Sequence, residues 1–295
     1  ASSAASDVYK RQLLNLGEGL TNETGATVRI VNDTEIEGSK LMGTFCYNPQ
    51  AVFPVYFVMK VNKVPKKMGY WKKQREMKGV EAEWDVYSGK YKLYTSYTRE
   101  MSGDDVGVWF DYDTDEGEAI EVKMGISYVS IENARLNMNT EQPGFDFDKV
   151  RTEASTMWNK DLSKVQVEGG TKDEKTIFYT GMYHLLIHPN ILQDVNGEYP
   201  MMESLKIGHT TGNRYTVFSL WDTYRNVSTL MTLLYPERQL DIIRTMLDMY
   251  RENGWLPKWE LYGRETFTME GDPSIPYIVD AWMRGLRDFD EQTAY

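Results

Sequence analysis

The stretch Ile120-Glu121-Val122-Lys123-Met124-Gly125-Ile126-Ser127-Tyr128, with the break Gln142-Pro143-Gly144-Phe145-Asp146 that follows it, decides the fold class. Side chains alternate along an extended strand, so Ile120, Val122, Met124, Ile126 and Tyr128 share one face while Glu121, Lys123, Gly125 and Ser127 share the other. Beyond Gly144 the apolar residues recur at helical spacing, with Val150, Ala154, Met157 and Leu162 on one side and Asp146 placed to cap the first turn. A change from period two to roughly 3.6 near residues 140 to 147 predicts strands before it and helices after it.

Working back from this point, period two extends from Thr27 to Glu132. Val55, Phe57, Met59 and Val61 repeat it, as do Tyr91, Leu93, Thr95 and Tyr97. Short strands separated by turn-like pieces such as Ser88-Gly89 and Ser102-Gly103-Asp104-Asp105 predict an antiparallel sandwich. Residues 1–11 carry no periodicity and resemble translated adapter read-through at the edge of a gene fragment, so they are expected to be a non-native flank outside the fold.

Working forward, Thr171 and Glu174 have capping-box spacing and open a helix through Phe178, Met182, Leu185 and Leu186 that Pro189 stops. Pro236 suits the first turn of another helix, whose stripe is Leu240, Ile243, Leu247 and Tyr250 before Gly254. Pro273 opens one more through Val279, Trp282 and Leu286. About five helical segments without a fixed repeat predict a bundle or a barrel of helical hairpins rather than a simple solenoid.

Composition narrows the function. The formal charge is −11, from 33 Lys and Arg against 44 Asp and Glu, which repels phosphate backbones and argues against nucleic acid. One Cys and three His exclude an internal disulfide and a zinc cluster, and no apolar run is long enough for a transmembrane helix. Twenty Tyr and eight Trp suit carbohydrate, whose C–H faces stack on flat rings, but they also suit an ordinary core with polar tips at the surface.

Two segments could carry chemistry. In Ser219-Leu220-Trp221-Asp222-Thr223-Tyr224-Arg225, Asp222 and Arg225 are three apart and would share a helical face. There a carboxylate accepting and a guanidinium donating could grip neighbouring hydroxyls of a sugar. On the residues alone the plainer reading leads, a first-turn acid beside its arginine at the surface. The second segment runs from Gly254-Trp255-Leu256-Pro257-Lys258-Trp259-Glu260 to Met269-Glu270-Gly271-Asp272, where Trp259 offers a stacking face beside Glu260 as an acceptor. Capping of the helices by Trp255 and Trp259, with the acids solvated, fits equally. His184 and His188 lack the intervening glutamate of a metalloprotease helix, and Asp194-Val195-Asn196-Gly197-Glu198 reads as a turn before it reads as a calcium loop. No Ser-His-Asp set or phosphate-binding Gly-Lys-Ser loop is readable.

The chain resembles glycoside hydrolase family 92, calcium-dependent exo-acting α-mannosidases, from about Met42 to Asp290. The resemblance is carried by Val129-Ser130-Ile131-Glu132-Asn133-Ala134, Phe178-Tyr179-Thr180, Asp194-Val195-Asn196-Gly197, the segment Phe218 to Arg225, and Gly254-Trp255-Leu256-Pro257 with Met269-Glu270-Gly271-Asp272. It implies a β-sandwich followed by an (α/α)6 barrel, so that 12–143 would be the later part of the sandwich and 147–295 the first helices of the barrel. It further implies that Asp222 and Arg225 contact a terminal mannose of a glycan, with Trp221, Trp259 and Glu260 in family-typical segments beside them. Hydrolysis with inversion, a calcium ion whose main ligands lie outside this chain, and export to the periplasm or cell surface are implied in the same way. The family's catalytic acid and base are expected downstream of Tyr295. Asn226-Val227-Ser228 departs from the proline-containing continuation of the family. The rival expectation is a carbohydrate-binding protein that kept the fold without the acids.

Overall fold

The computed structural model of the chain describes residues 9–17, 24–43, 52–73, 91–94 and 100–295, and divides between Phe145 and Asp146 into two units. The predicted turn at Ser88-Gly89, the alternation at Thr95 and Tyr97, Cys46 and residues 1–8 lie outside the described residues.

The first unit contains β1 (Tyr9–Asn15), β2 (Thr24–Asn32), β3 (Glu35–Met42), β4 (Phe53–Val61), β5 (Lys67–Lys73), β6 (Tyr91–Tyr94), β7 (Glu100–Gly103), β8 (Val106–Asp113), β9 (Val122–Ser127) and the helix α1 (Ile131–Glu141). Among the described residues every pairing in this unit is antiparallel, in two sheets ordered β1-β8-β5-β6 and β7-β2-β3-β4-β9. Between them lies a core of Ala26, Val28, Ile36, Phe57, Met59, Val61, Tyr70, Val106, Val108, Phe110 and Tyr112. Burial also pushes the Tyr112 hydroxyl up to about 12. The expected sandwich is therefore present. The exclusion of residues 9–11 does not hold, because Tyr9, Lys10 and Arg11 pair with Asp113, Tyr112 and Asp111 as part of β1.

The deciding stretch folds with the predicted period but the opposite face is covered. Val122, Met124 and Ile126 are 44–54% exposed, whereas Lys123, Gly125 and Ser127 are buried. The cause is α1, which was not anticipated as a helix and packs across β9 and β4 through Ala134, Met138 and Val58. Ser130 caps it, accepting from Asn133 N at 3.1 Å. Gly125 permits the approach, since a Cβ there would lie 2.2 Å from the Ala134 carbonyl. Lys123 donates to the Gln142 and Pro143 carbonyls just past the end of α1, at 2.8 and 3.0 Å, and burial holds its pKa below the ordinary value. The same face carries an ion-pair lattice in which Arg135 meets Glu35 at 2.6 Å and also Glu37, while Lys60 meets Glu35 at 2.9 Å.

The second unit contains α2 (Phe147–Leu162), α3 (Lys172–His184), β10 (Asn190–Ile191), β11 (Glu198–Pro200), β12 (Ile207–His209), β13 (Tyr215–Thr216), α4 (Leu220–Thr223), α5 (Val227–Leu234), α6 (Pro236–Asn253), β14 (Glu260–Leu261), β15 (Arg264–Glu265), α7 (Ser274–Met283) and α8 (Glu291–Ala294). Asp146 caps α2, the Thr171/Glu174 capping box opens α3, and Pro236 and a left-handed Gly254 bound α6. The core gathers on α6, where Ile242, Ile243, Met246, Leu247 and Met249 meet Met231 of α5 and Tyr277, Ile278 and Ala281 of α7. Inside it Tyr277 donates to Gln239 at 2.9 Å and Gln239 donates to Ser228 at 2.9 Å, so these buried polar groups are matched. By contrast α2 buries no residue and α3 buries only Met182, leaving Phe147, Met157 and Ile177 exposed. Among the described residues no helix is long and apolar enough to cross a membrane.

Candidate functional site

The short strand β13 pairs with β10 and delivers the chain into Val217, whose φ is +67°. A β-branched residue in that region is an outlier, costing on the order of 1–3 kcal/mol that its surroundings must offset. From there the backbone turns through Phe218 and Ser219 into α4. A cavity of about 230 Å³ opens beside this turn, lined by His188, Pro189, residues 217–220, Thr223 and Trp259, over Met231, Ile242 and Tyr277.

The structure thus brings Trp259 to the predicted Trp221/Asp222 segment, while the charged pair itself points elsewhere. Trp221 is 43% exposed, and Asp222 and Arg225 are exposed as well. The Ser219 hydroxyl donates to Asp222, and the Arg225 guanidinium lies 5.2 Å over the Tyr224 ring. No ion pair joins Asp222 to Arg225, and neither lines the cavity. The shared helical face expected for them is not formed. Because α4 ends at Thr223, Arg225 falls in the turn after it.

Glu260 contradicts the expectation of a solvent-facing acceptor. It is fully buried, and its carboxylate accepts from the Thr216 hydroxyl at 2.9 and 3.1 Å, from Val217 N at 3.0 Å and from Gly263 N at 2.6 Å. Its own backbone carbonyl accepts from Phe218 N at 3.0 Å. No sugar hydroxyl reaches oxygens enclosed in this way. Burial pushes the Glu260 carboxyl up to about 7, with the N–H and O–H donors and the charge of Arg214 opposing it. Glu265 is used similarly: it is buried and accepts from Lys258 N at 2.8 Å, Trp259 N at 2.9 Å and Phe267 N at 3.0 Å, which fixes the loop carrying Trp259.

Sequence reasoning missed the Arg214–Glu252 pair beneath β13. Arg214 Nη2 meets Glu252 at 2.8 Å with both side chains buried, and the guanidinium stacks 4.5 Å over Tyr199, whose hydroxyl donates to Glu252 at 3.0 Å. Among the described residues no group partners Nε or Nη1 of Arg214. Partners 38 residues apart, brought together by tertiary packing, leave no local signal in the sequence.

Among the described residues no group of three His, Cys, Asp or Glu side chains converges as a metal site. The turn over residues 194–198 is closed on itself, with Gly197 N donating to Asp194 O at 2.8 Å and Glu198 N donating to the Asn196 side chain at 3.1 Å. His184 ends α3 while His188 lies beyond it at the cavity, so the two are not ligands along one helix. A wider groove of about 700 Å³ lies between α2 and α3, lined by Lys172, Lys175, Tyr179 and Tyr183, and it holds no acid.

Comparisons with known proteins account for nearly the whole chain. The model described as "Glycosyl hydrolase family 92 N-terminal domain" matches residues 4–127, and "Glycosyl hydrolase family 92 catalytic domain" matches residues 133–295. A family GH92 alpha-mannosidase from Bacteroides thetaiotaomicron is 30% identical with a TM-score of 0.78, covering 92% of this chain and 35% of its own, and has also been solved in complex with mannoimidazole. A GH92 inverting mannosidase from the same bacterium is 26% identical with a TM-score of 0.77, covering 92% of this chain and 34% of its own. An "uncharacterized secreted glycosidase" of Arthroderma benhamiae is 27% identical over 182 residues, 60% of this chain and 19% of that protein. The chain spans about a third of the length of these solved relatives and about a fifth of the curated one.

Proposed function

The chain belongs to glycosyl hydrolase family 92, and on that ground we propose that it is part of an exo-acting, inverting α-mannosidase that removes terminal mannose from glycans. The observation that carries this reading is the ordered match of both family domains together with 30% identity to a solved α-mannosidase at a TM-score of 0.78. The neighbour bound to mannoimidazole supports a mannose-shaped ligand. Export is supported by the relative named a secreted glycosidase.

In this reading the helices of the second unit belong to an (α/α)6 barrel, and the chain supplies binding rather than proton transfer. Asp222 keeps carboxylate oxygen free to accept from a sugar hydroxyl, Arg225 donates, Trp221 offers an exposed ring face, and Trp259 walls the cavity. A cavity of about 230 Å³ is below the roughly 300–1,000 Å³ of sites that enclose drug-sized ligands, which suits a single terminal ring. Inversion needs an acid and a base about 6.5–9.5 Å apart with water between them. Glu260 and Glu265 cannot serve, since their oxygens are committed to backbone N–H groups. Among the described residues no three His, Cys, Asp or Glu side chains gather, and the calcium that the resemblance implies is expected to take its main ligands from outside this chain. The chain by itself is therefore expected to bind mannose without hydrolysing mannosides. The test is an assay of the 295-residue chain on α-linked mannobioses beside the solved Bacteroides α-mannosidase as positive control. Substantial turnover by the chain would overturn the division of labour, and absence of mannose binding would overturn the site.

A further inference from the structure

Glu260 and Trp259 are adjacent in sequence yet face opposite ways, one sealed inside and one at the cavity. Glu260 makes three contacts across a sequence gap of about 43 residues: its carboxylate takes the Thr216 hydroxyl and the Val217 N–H, and its carbonyl takes the Phe218 N–H; beside them the same Thr216 oxygen accepts from Tyr262 N at 2.7 Å. These link the hairpin of β14 and β15 to Thr216, Val217 and Phe218, shortly before α4. Val217 is the strained member of that link, and its N–H is tied directly to Glu260 Oε2. Every group around the carboxylate donates, so an ionised Glu260 satisfies all of them with one side chain.

We propose that Glu260 is a positioning residue that sets the register between Trp259 and residues 219–222 by holding Val217 in its left-handed conformation. The proposal rests on the sugar-binding reading above for its functional consequence, while its geometric part stands without it. Glu265 acts on the loop that carries Trp259, because its carboxylate accepts from Lys258, Trp259 and Phe267 N–H groups. Loss of Glu260 releases both walls of the cavity relative to each other; loss of Glu265 loosens the loop that carries Trp259. Glycine adopts a positive φ without strain, so a glycine at position 217 no longer needs to be held.

The test uses the full chain and follows the Trp259 indole resonance, assigned with Trp259→Phe, together with a mannose titration. Glu260→Gln is expected to shift the Trp259 resonance and to weaken mannose about tenfold. Adding Val217→Gly to that variant is expected to recover most of both, a rescue that a generally weakened fold would not show. An unmoved indole signal in folded Glu260→Gln, or no recovery in the double variant, overturns the proposal. If Glu260→Gln does not fold, amide exchange in the unmodified chain decides: the Val217 and Gly263 N–H groups are expected to be strongly protected, and fast exchange at either overturns the link. Should the unmodified chain bind no mannose, the sugar reading fails, but the indole shift and its rescue still judge the positioning role.

Discussion

Residues 219–225 and residues 258–267 both contribute to one cavity, through Ser219, Leu220 and Thr223 on one side and Trp259 on the other, yet the acids they carry beside it, Asp222 against Glu260 and Glu265, are placed in opposite ways. In the first segment Asp222 and Arg225 remain at the surface, where the proposed function has them meet a ligand, while in the second Glu260 and Glu265 are enclosed and hold backbone N–H groups. Side-chain chemistry is the same in both. Environment decides whether a carboxylate is offered to a substrate or consumed by the fold, because a buried acceptor left to serve a ligand would first leave its donors unpaired.

The largest expected effect breaks the enclosed side. Glu260→Ala strands the Val217 and Gly263 N–H groups and the Thr216 hydroxyl in a sealed site, which should lower the unfolding free energy by about 3 kcal/mol or more in urea titration. A loss of only a few tenths would place Glu260 at a tolerant site and dissolve the contrast.

A comparable effect appears with pH. Burial raises the Glu260 carboxyl from an ordinary value of 4.5 to about 7, so folding favours its protonated form. Its contribution to stability is therefore full below about 4.5 and is lost as pH rises through about 7, a change of about 3 kcal/mol from this group. Urea midpoints of the unmodified chain should fall between pH 5 and 8 relative to those of Glu260→Gln, which cannot titrate. Parallel pH profiles would show that the site is wetter than its geometry.

On the open side the expected pattern is reversed. Asp222→Ala should change stability by less than about 0.5 kcal/mol while weakening sugar binding by about 1–3 kcal/mol. The smallest effect belongs to Asp290, an exposed carboxylate employed by the fold, which accepts from Thr293 N at 3.0 Å and pairs with Arg251 at 2.7 Å. The Thr293 hydrogen bonds, followed by Arg251, hold its pKa down at about 2, so its support of α8 is present above the ordinary 3.8 and is lost as pH falls through about 2. Amide exchange at Thr293 should accelerate over that range only.

The same contrast between local and distant causes explains what could be read in advance. The capping box at Thr171 and Glu174, the Pro236 start and Gly254 end of α6, and the period of β4 and β9 depend on neighbours in sequence, and they were legible. α1 was not, because it buries only Asn133, Ala134, Asn137 and Met138, a weak apolar stripe that hides inside a strand-like region. Its presence then reversed which face of β9 is covered. The sequence reading set Trp259 near Asp222 and Arg225, whereas the structure sets it beside residues 217–220, and the role of Glu260 was beyond that reading, since Thr216 lies 44 residues away. The helical face assumed for Asp222 and Arg225 failed for a local reason: α4 is only four residues long.

The most direct test of the central claim is a mannose titration of the folded chain, read at the Trp259 indole, for the unmodified protein and for Asp222→Ala. The account predicts saturable binding by the unmodified chain and a loss of affinity of about tenfold or more in the variant at unchanged thermal stability. Equal affinity in both, or no binding in either, would contradict the assignment of residues 219–225 and the cavity beside Trp259 to the terminal mannose.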